Sequence, residues 1–345
     1  MEEAGRVAVI ILNWNGKKFL EQFLPKVCAC SAGMANVYVA DNASTDDSVA
    51  YLQSSFPDVK IIINPKNGGF AYGYNASLCK IKAEYYILLN SDVEVTPDWI
   101  EPIIKLMDAD KSVGAVQPKI KSFTNPGYFE YAGAAGGFID VYGYPFCRGR
   151  IFDTIEKDEK QYDSVTEIFW ATGACLFIRA DLYHTLGGFD EDLFSHQEEI
   201  DLCWRMKLLG HKVMYCPTSE VMHYGGGMLP KSNPFKTYLN FRNNLIILCK
   251  NHPSGTLAWK IFVRMVLDGI AAFRYLLMGD SKDTLAILRG HWHFYLSIPK
   301  TLRKRKALKT HNLKPATCVY KRSIVKKYFI QHKRYFSDLN PTDFS

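Results

Sequence analysis

Two acidic clusters carry most of the chemistry legible in this chain of 345 residues. The first, Asn90-Ser91-Asp92, directly follows the apolar run Tyr85 to Leu89. Such a run reads as a buried strand, which would deliver Asp92 to the carboxyl edge of an open α/β sheet, where these sheets bind ligands. One hard carboxylate there suits Mg²⁺ or Mn²⁺ with coordination positions left for phosphate oxygens. The second cluster, Glu198-Glu199-Ile200-Asp201, could supply a general base beside that ion. It reads equally well as the acidic first turn of a helix over Ile200 to Leu209, complementing the helix dipole. Arg205 on the same helix could face a diphosphate. His223, after a predicted strand over Cys216 to Met222 and before Gly225-Gly226-Gly227, is either a metal ligand or a structural histidine. Metal, diphosphate and base together suggest transfer of a group from an activated donor.

The elements that must position these residues begin near the N-terminus. Val7 to Leu12, Val37 to Ala40, Val59 to Ile63, Tyr85 to Leu89 and Val113 to Gln117 read as strands. Helical spacing fills Lys17 to Val27, a stretch from about Asp46 with Ser44 or Thr45 as N-cap, and Tyr74 to Ile81. A further helix is predicted to open at Thr96-Pro97. Strands alternating with helices predict βαβ units and a parallel sheet. Residues 124–150 are Gly-rich and aromatic, and read as small strands with a loop over the sheet edge. A strand over Cys175 to Ile178 and a helix near Asp181 to Leu186 precede the second acidic cluster.

Polar side chains gather at the ends of the early strands. Asn13-Trp14-Asn15-Gly16 ends the first and Asp41-Asn42-Ala43-Ser44-Thr45-Asp46 the second. They suit hydrogen bonds to a nucleoside, and they suit turns and caps equally. Asn67-Gly68-Gly69, leading through Phe70 to Asn75, is a Gly-rich helix entry whose backbone N–H groups could receive phosphate. It follows the third strand and lacks the lysine of a phosphate-binding P-loop, which argues against both nucleotide fingerprints.

Charge divides the chain. Residues 241–345 hold 20 Lys+Arg against 5 Asp+Glu, whereas residues 1–240 hold 22 against 30, for a net charge of +7. A basic C-terminal region favours an anionic surface. From Leu257 to Met278 the chain is apolar, but Lys260, Arg264 and Asp268 recur every fourth residue. That pattern predicts an amphipathic helix rather than a spanning one, and with Arg303-Lys304-Arg305-Lys306 it suits an anionic membrane better than nucleic acid. The same helix could serve a homodimer. The nine cysteines show no C-x-x-C spacing, and the start carries no signal-peptide pattern, so reduced thiols and a cytoplasmic location are expected.

In order along residues 6–245, Val9 to Gly16, Val39 to Asp46, Asn67 to Ala71, Leu88 to Asp92, Trp170 to Cys175, Gly188 to Glu191 and Glu198 to Arg205 resemble the family-two glycosyltransferases of GT-A fold, in their bacterial rhamnosyltransferase-like branch. The resemblance implies a GT-A domain over 1–240, with 1–120 the nucleotide-binding half and 121–240 the acceptor and catalytic half. Residues 241–345 would be a basic helical extension. It implies donor contacts from Asn13, Asn15, Asp41, Ser44, Asn67, Gly68, Asn75, Asn90, Ser91 and Arg205, metal binding by Asp92 and His223, and Gly173 on the acceptor side. Glu199 aligns with the family's general base, with Glu198 and Asp201 as alternatives. Asn90 replaces the first acid of the family's D-x-D motif, and Glu199 replaces the usual base Asp. The implied reaction is an inverting, metal-dependent transfer of a sugar, rhamnose among the candidates, from a dTDP- or UDP-linked donor to a glycan or lipid-linked acceptor. Rival readings are a metal-dependent nucleotidyltransferase and a non-catalytic binding protein on the same fold.

Overall fold

The computed structural model describes residues 2–3, 5–225 and 233–345; Gly226 and Gly227 lie outside them. The chain runs through β1 (Glu2–Glu3), β2 (Val7–Asn13), α1 (Lys17–Ser31), β3 (Asn36–Asp41), α2 (Ser48–Ser55), β4 (Lys60–Ile63), α3 (Gly69–Leu78), β5 (Ile81–Lys82), β6 (Tyr85–Asn90), β7 (Val93–Val95), α4 (Glu101–Ala109) and β8 (Val113–Ser122). Next come four short strands, β9 (Gly137–Asp140), β10 (Pro145–Cys147), β11 (Arg150–Ile151) and β12 (Thr154–Ile155). The second half continues with β13 (Thr166–Ile168), β14 (Cys175–Arg179), α5 (Ala180–Thr185), α6 (Glu198–Leu208), β15 (Lys212–His223), α7 (Pro234–Asn251), α8 (Leu257–Leu277), α9 (Ser281–Leu308) and β16 (Val319–Tyr320).

Among the described residues the main sheet has the order β13-β15-β8-β14-β6-β2-β3-β4, with β7 paired to β15. All seven residues of β2 are buried because helices cover both faces of the sheet. Alternate side chains feed two cores: Ala8, Ile10 and Leu12 on one face, Val7, Val9 and Ile11 on the other. The expected parallel pairing holds for β4-β3-β2-β6. It does not extend across the sheet, because β14 enters antiparallel between β6 and β8. The sheet is therefore mixed.

Several element starts differ from expectation. α2 opens at Ser48, with Asp47 at its N-cap, because Ser44 and Thr45 are drawn instead into hydrogen bonds with Asn15. α3 opens at Gly69 rather than Tyr74. The helix expected at Thr96-Pro97 begins at Glu101, with Pro102 in its first turn, after Asp98 adopts a left-handed φ of 58°.

The Gly-rich stretch does form small strands. They build a separate sheet, β12-β11-β10-β9-β16, whose edge strand comes from the far C-terminus. β16 pairs in parallel with β9, and Phe336 and Phe344 pack on Phe138 and Phe146. The tail after α9 thus folds back onto the body, and α7 runs unbroken through residue 240. All nine cysteines are free. No helix among the described residues is long and apolar enough to cross a membrane.

Candidate active site

Register brings the first polar group together: Asn13 lies opposite Asp41 and Leu12 opposite Asn90 at the carboxyl edge of adjacent parallel strands. Asn13 Nδ2 donates to Asp41 Oδ2 at 3.0 Å and to Ser44 Oγ at 3.2 Å, and Ser44 N donates to Asp41 Oδ1. Asn13 and Asp41 are buried by this network, which leaves Trp14, Asn15 and Thr45 facing outward. Asn67 Oδ1 accepts from Asn42 Nδ2 and Gly69 N, both at 3.0 Å, tying the Gly-rich loop to the same edge. Gly69 is required there, since its φ is +86° and a Cβ would stand 2.5 Å from the Phe194 carbonyl oxygen. Gly68 precedes it at the N-cap of α3, and Ser91 is buried beside Gly16.

β7 and β15 place the two expected metal ligands side by side. His223 pairs with Val93, and His223 Nε2 lies 3.1 Å from Asp92 Oδ1. The two are hydrogen-bonded to each other, and their separation is also that of adjacent donors in an octahedral shell with bonds of about 2.1 Å, so an ion would have to displace the shared proton to take both. Behind the imidazole, Glu130 Oε2 lies 3.4 Å from Nδ1. A carboxylate there fixes which nitrogen faces the site. Burial opposes charge on His223, but Asp92 and Glu130 outweigh it and raise its pKa to about 10. Glu130 carried no sequence signal, because it sits in a stretch without periodicity.

The second acidic cluster begins α6, and its carboxylates occupy three different environments. Glu198 is buried with no partner for Oε2 among the described residues, and burial plus the neighbouring Glu199 holds its pKa well above the ordinary value. Glu199 is half-buried. Burial raises its pKa, against the opposing pull of the backbone N–H groups of Glu199 itself and Gly173. Its Oε2 also lacks a partner among the described residues. Asp201 is fully buried, yet Lys250 at 2.7 Å, Arg205 at 2.8 Å and Asn251 at 2.8 Å outweigh burial and keep its pKa low. With these lone pairs committed, Asp201 is an anchor for α6 rather than a base.

Two expected donor contacts are placed elsewhere. Arg205 spends its guanidinium on Asp201, the Leu186 carbonyl at 2.6 Å and the Gly188 carbonyl at 2.8 Å, which fixes the preceding loop. Asn75 accepts from Tyr183 Oη and Phe189 N and donates to the Phe189 carbonyl and Glu191, a latch between α3 and that loop. The chain turns left-handed at Phe194, His196 and Gln197 just before Glu198. Asn243 on α7 holds this strained segment, with Nδ2 within 2.8–2.9 Å of the carbonyls of Leu193, Ser195 and His196. Gly173 links the halves: a Cβ there would stand 3.0 Å from the Phe70 ring and 3.8 Å from Glu199 Oε1. One residue on, the Ala174 carbonyl accepts from Asn90 N.

Residues 8–185 match the family described as Glycosyl transferase family 2. The chain belongs to that family. It is a glycosyltransferase of GT-A fold, acting in glycan biosynthesis. It is 25% identical over 288 residues to N-acetylglucosaminyl-diphospho-decaprenol L-rhamnosyltransferase of Mycobacterium tuberculosis, covering 78% of this chain and 92% of that protein. It is also 25% identical over 167 residues to Rhamnosyltransferase WbbL of Escherichia coli K12, covering 45% of this chain and 61% of the other. Among solved structures it resembles GalNAc-T7 with UDP, GalNAc and Mn²⁺ at a TM-score of 0.55 and 16% identity, covering 70% of this chain and 47% of the other. Staphylococcus aureus TarS 1–349 with UDP-GlcNAc gives 0.51 at 15%, covering 88% and 86%.

Proposed function

We propose that this glycosyltransferase moves a sugar, rhamnose foremost, from a dTDP- or UDP-linked donor to a hydroxyl of a glycan or lipid-linked acceptor in cell-surface polysaccharide synthesis. It works by a single inverting displacement, from a peripheral position at the cytoplasmic face of the inner membrane. The observation that carries the reading is Glu199: of the three carboxylates at the start of α6 it is the one not fully buried, with Oε1 beside Gly173 and Oε2 without a partner among the described residues. The rhamnosyltransferase names of two relatives support the choice of sugar.

Glu199 takes the proton of the acceptor hydroxyl as that oxygen bonds to the anomeric carbon and the bond to the donor phosphate breaks. The carbon passes through an oxocarbenium-like state with inversion. Asp92 and His223 would hold Mg²⁺ or Mn²⁺, with Glu130 orienting the imidazole. When bound, that ion offsets charge on the departing nucleoside diphosphate. Asn15, Ser44, Asn67, Gly68, Asn90 and Ser91 would line the donor pocket over the buried Asn13–Asp41 pair, and Gly173 the acceptor side.

Calorimetric titration of UDP and dTDP, each with and without Mn²⁺ or Mg²⁺, tests this. Metal-dependent binding of one nucleotide is expected, lost in Asp92→Ala and weakened about tenfold or more in Glu130→Leu. Binding of neither nucleotide under any metal condition would leave the reading without support.

A further inference from the structure

α8 and α9 form a hairpin whose polarity is inside out. The charged stripe on α8 faces the body: Arg264 Nε donates to Asp268 Oδ1 at 2.8 Å, and its guanidinium lies 3.6 Å from the Tyr144 ring centre. Tyr144 Oη and His291 Nε2 reach the two oxygens of Asp268, which is fully buried. The apolar stripe faces away from the body. On α8 it comprises Trp259, Phe262, Val266, Ile270 and Phe273, spaced three or four apart, all exposed. Leu285, Leu288, Trp292 and Leu296 continue it along α9 with the same spacing. Trp259 is 62% and Leu296 63% exposed. A contiguous apolar face of this kind is not left to water in a soluble monomer.

Charge selects what covers it. Arg274, Lys282, Arg289, Arg303 and Lys306 are exposed along the hairpin, while its two helical carboxylates, Asp268 and Asp283, are buried. A second copy laid on this face would oppose cations with cations and find no exposed carboxylate on either helix. An anionic bilayer meets both features at once.

We infer that the α8–α9 hairpin is a membrane-docking element that lies in the lipid interface, sinking its apolar stripe among the acyl chains and setting its cations on anionic headgroups. The far end of α9 is bolted to the catalytic half. Lys304 bonds to Asp190 and Asp192, and Lys300 to Asp192, a few residues before the segment that delivers Glu199. Arg305 donates to the carbonyls of Cys249 and Lys250. Docking therefore fixes the catalytic base relative to the membrane, as an acceptor carried on a lipid requires; that consequence, unlike the docking itself, rests on the function proposed above.

The test is co-flotation of the full chain with vesicles of phosphatidylcholine alone and of an equimolar mixture with phosphatidylglycerol, beside the triple variant Phe262→Ser, Ile270→Ser, Leu296→Ser. The wild type should float with the anionic vesicles, less so at high salt, and the variant should lose about tenfold or more of that binding. The variant should keep its transfer rate to a water-soluble acceptor, because none of the three side chains faces the site. Failure of the wild type to float with either vesicle overturns the inference. So does a wild-type dimer, seen by light scattering, that the triple variant converts to monomer without any vesicle binding. Vesicle binding without sugar transfer would keep the docking element and remove the proposed reaction instead.

Discussion

Glu199 sits between a carboxyl whose pKa burial raises well above the ordinary value and one whose pKa Lys250 and Arg205 hold down. That arrangement separates roles that residue type alone leaves equal. A base must be ionised to act, and burial raises the pKa of Glu199, so activity should climb with pH along a limb above the range of an exposed glutamate. Glu199→Gln should lower kcat by about 10²–10⁴ and flatten that limb. Nucleotide affinity should stay within about threefold, since the change removes a transition-state interaction. A pH–rate series on both proteins checks this; a Gln variant at the wild-type rate would take Glu199 out of the base role. Residue types alone left the members of the acidic cluster equal, and the family resemblance put Glu199 first without a physical reason for the order. The ranking depends on Lys250 and Asn251, some fifty residues further along the chain.

At the scale of elements, α7 does what α6 cannot do for itself. Three left-handed residues precede Glu198, and each non-glycine residue in that region costs about 1 kcal/mol or more. Asn243 meets three carbonyls of that segment, and Asn244 bonds to Gln197 and the Gly143 carbonyl. Asn243→Ala would take this donor from the part-buried Ser195 and His196 carbonyls, at about 1–3 kcal/mol, while the Leu193 carbonyl keeps Arg242 and Ser195 N. A lower Tm together with a fall in kcat larger than any change in KM is expected from melting curves and steady-state kinetics. Unchanged kcat would mean that the segment holds its shape unaided. A signal for α7 was present: Asn243-Asn244 runs directly into Leu245-Ile246-Ile247-Leu248, and amides beside an apolar helical run need buried partners. The partners themselves were invisible, because loop carbonyls carry no mark in a sequence.

For the whole molecule, the basic C-terminal region is two things rather than one extension. The α8–α9 hairpin projects its apolar side outward, while the tail beyond it supplies β16 and the aromatic side chains that close the small sheet. Deleting residues 319–345 strips Phe336 and Phe344 from Phe138 and Phe146 and bares the edge of β9. The cost should be about 3 kcal/mol or more, read as a lower denaturant midpoint with increased dye binding to exposed apolar surface. An unchanged midpoint would show the tail to be dispensable.

The sequence by itself determined the parallel strands from Val7 to Asn90, the polar residues at their carboxyl ends, the order of the family motifs and the amphipathic character of α8. Those properties are written in local periodicity and in residue types that serve turns, caps and strand ends. The tertiary structure decided the antiparallel insertion of β14, the return of β16, the pairing of Glu130 with His223, the surroundings of each acid on α6 and the direction in which α8 turns its apolar side. Each of these depends on segments distant in the chain meeting in space. Periodicity shows that a helix has two faces, but only the buried Asp268 and its partners show which one the protein keeps inside.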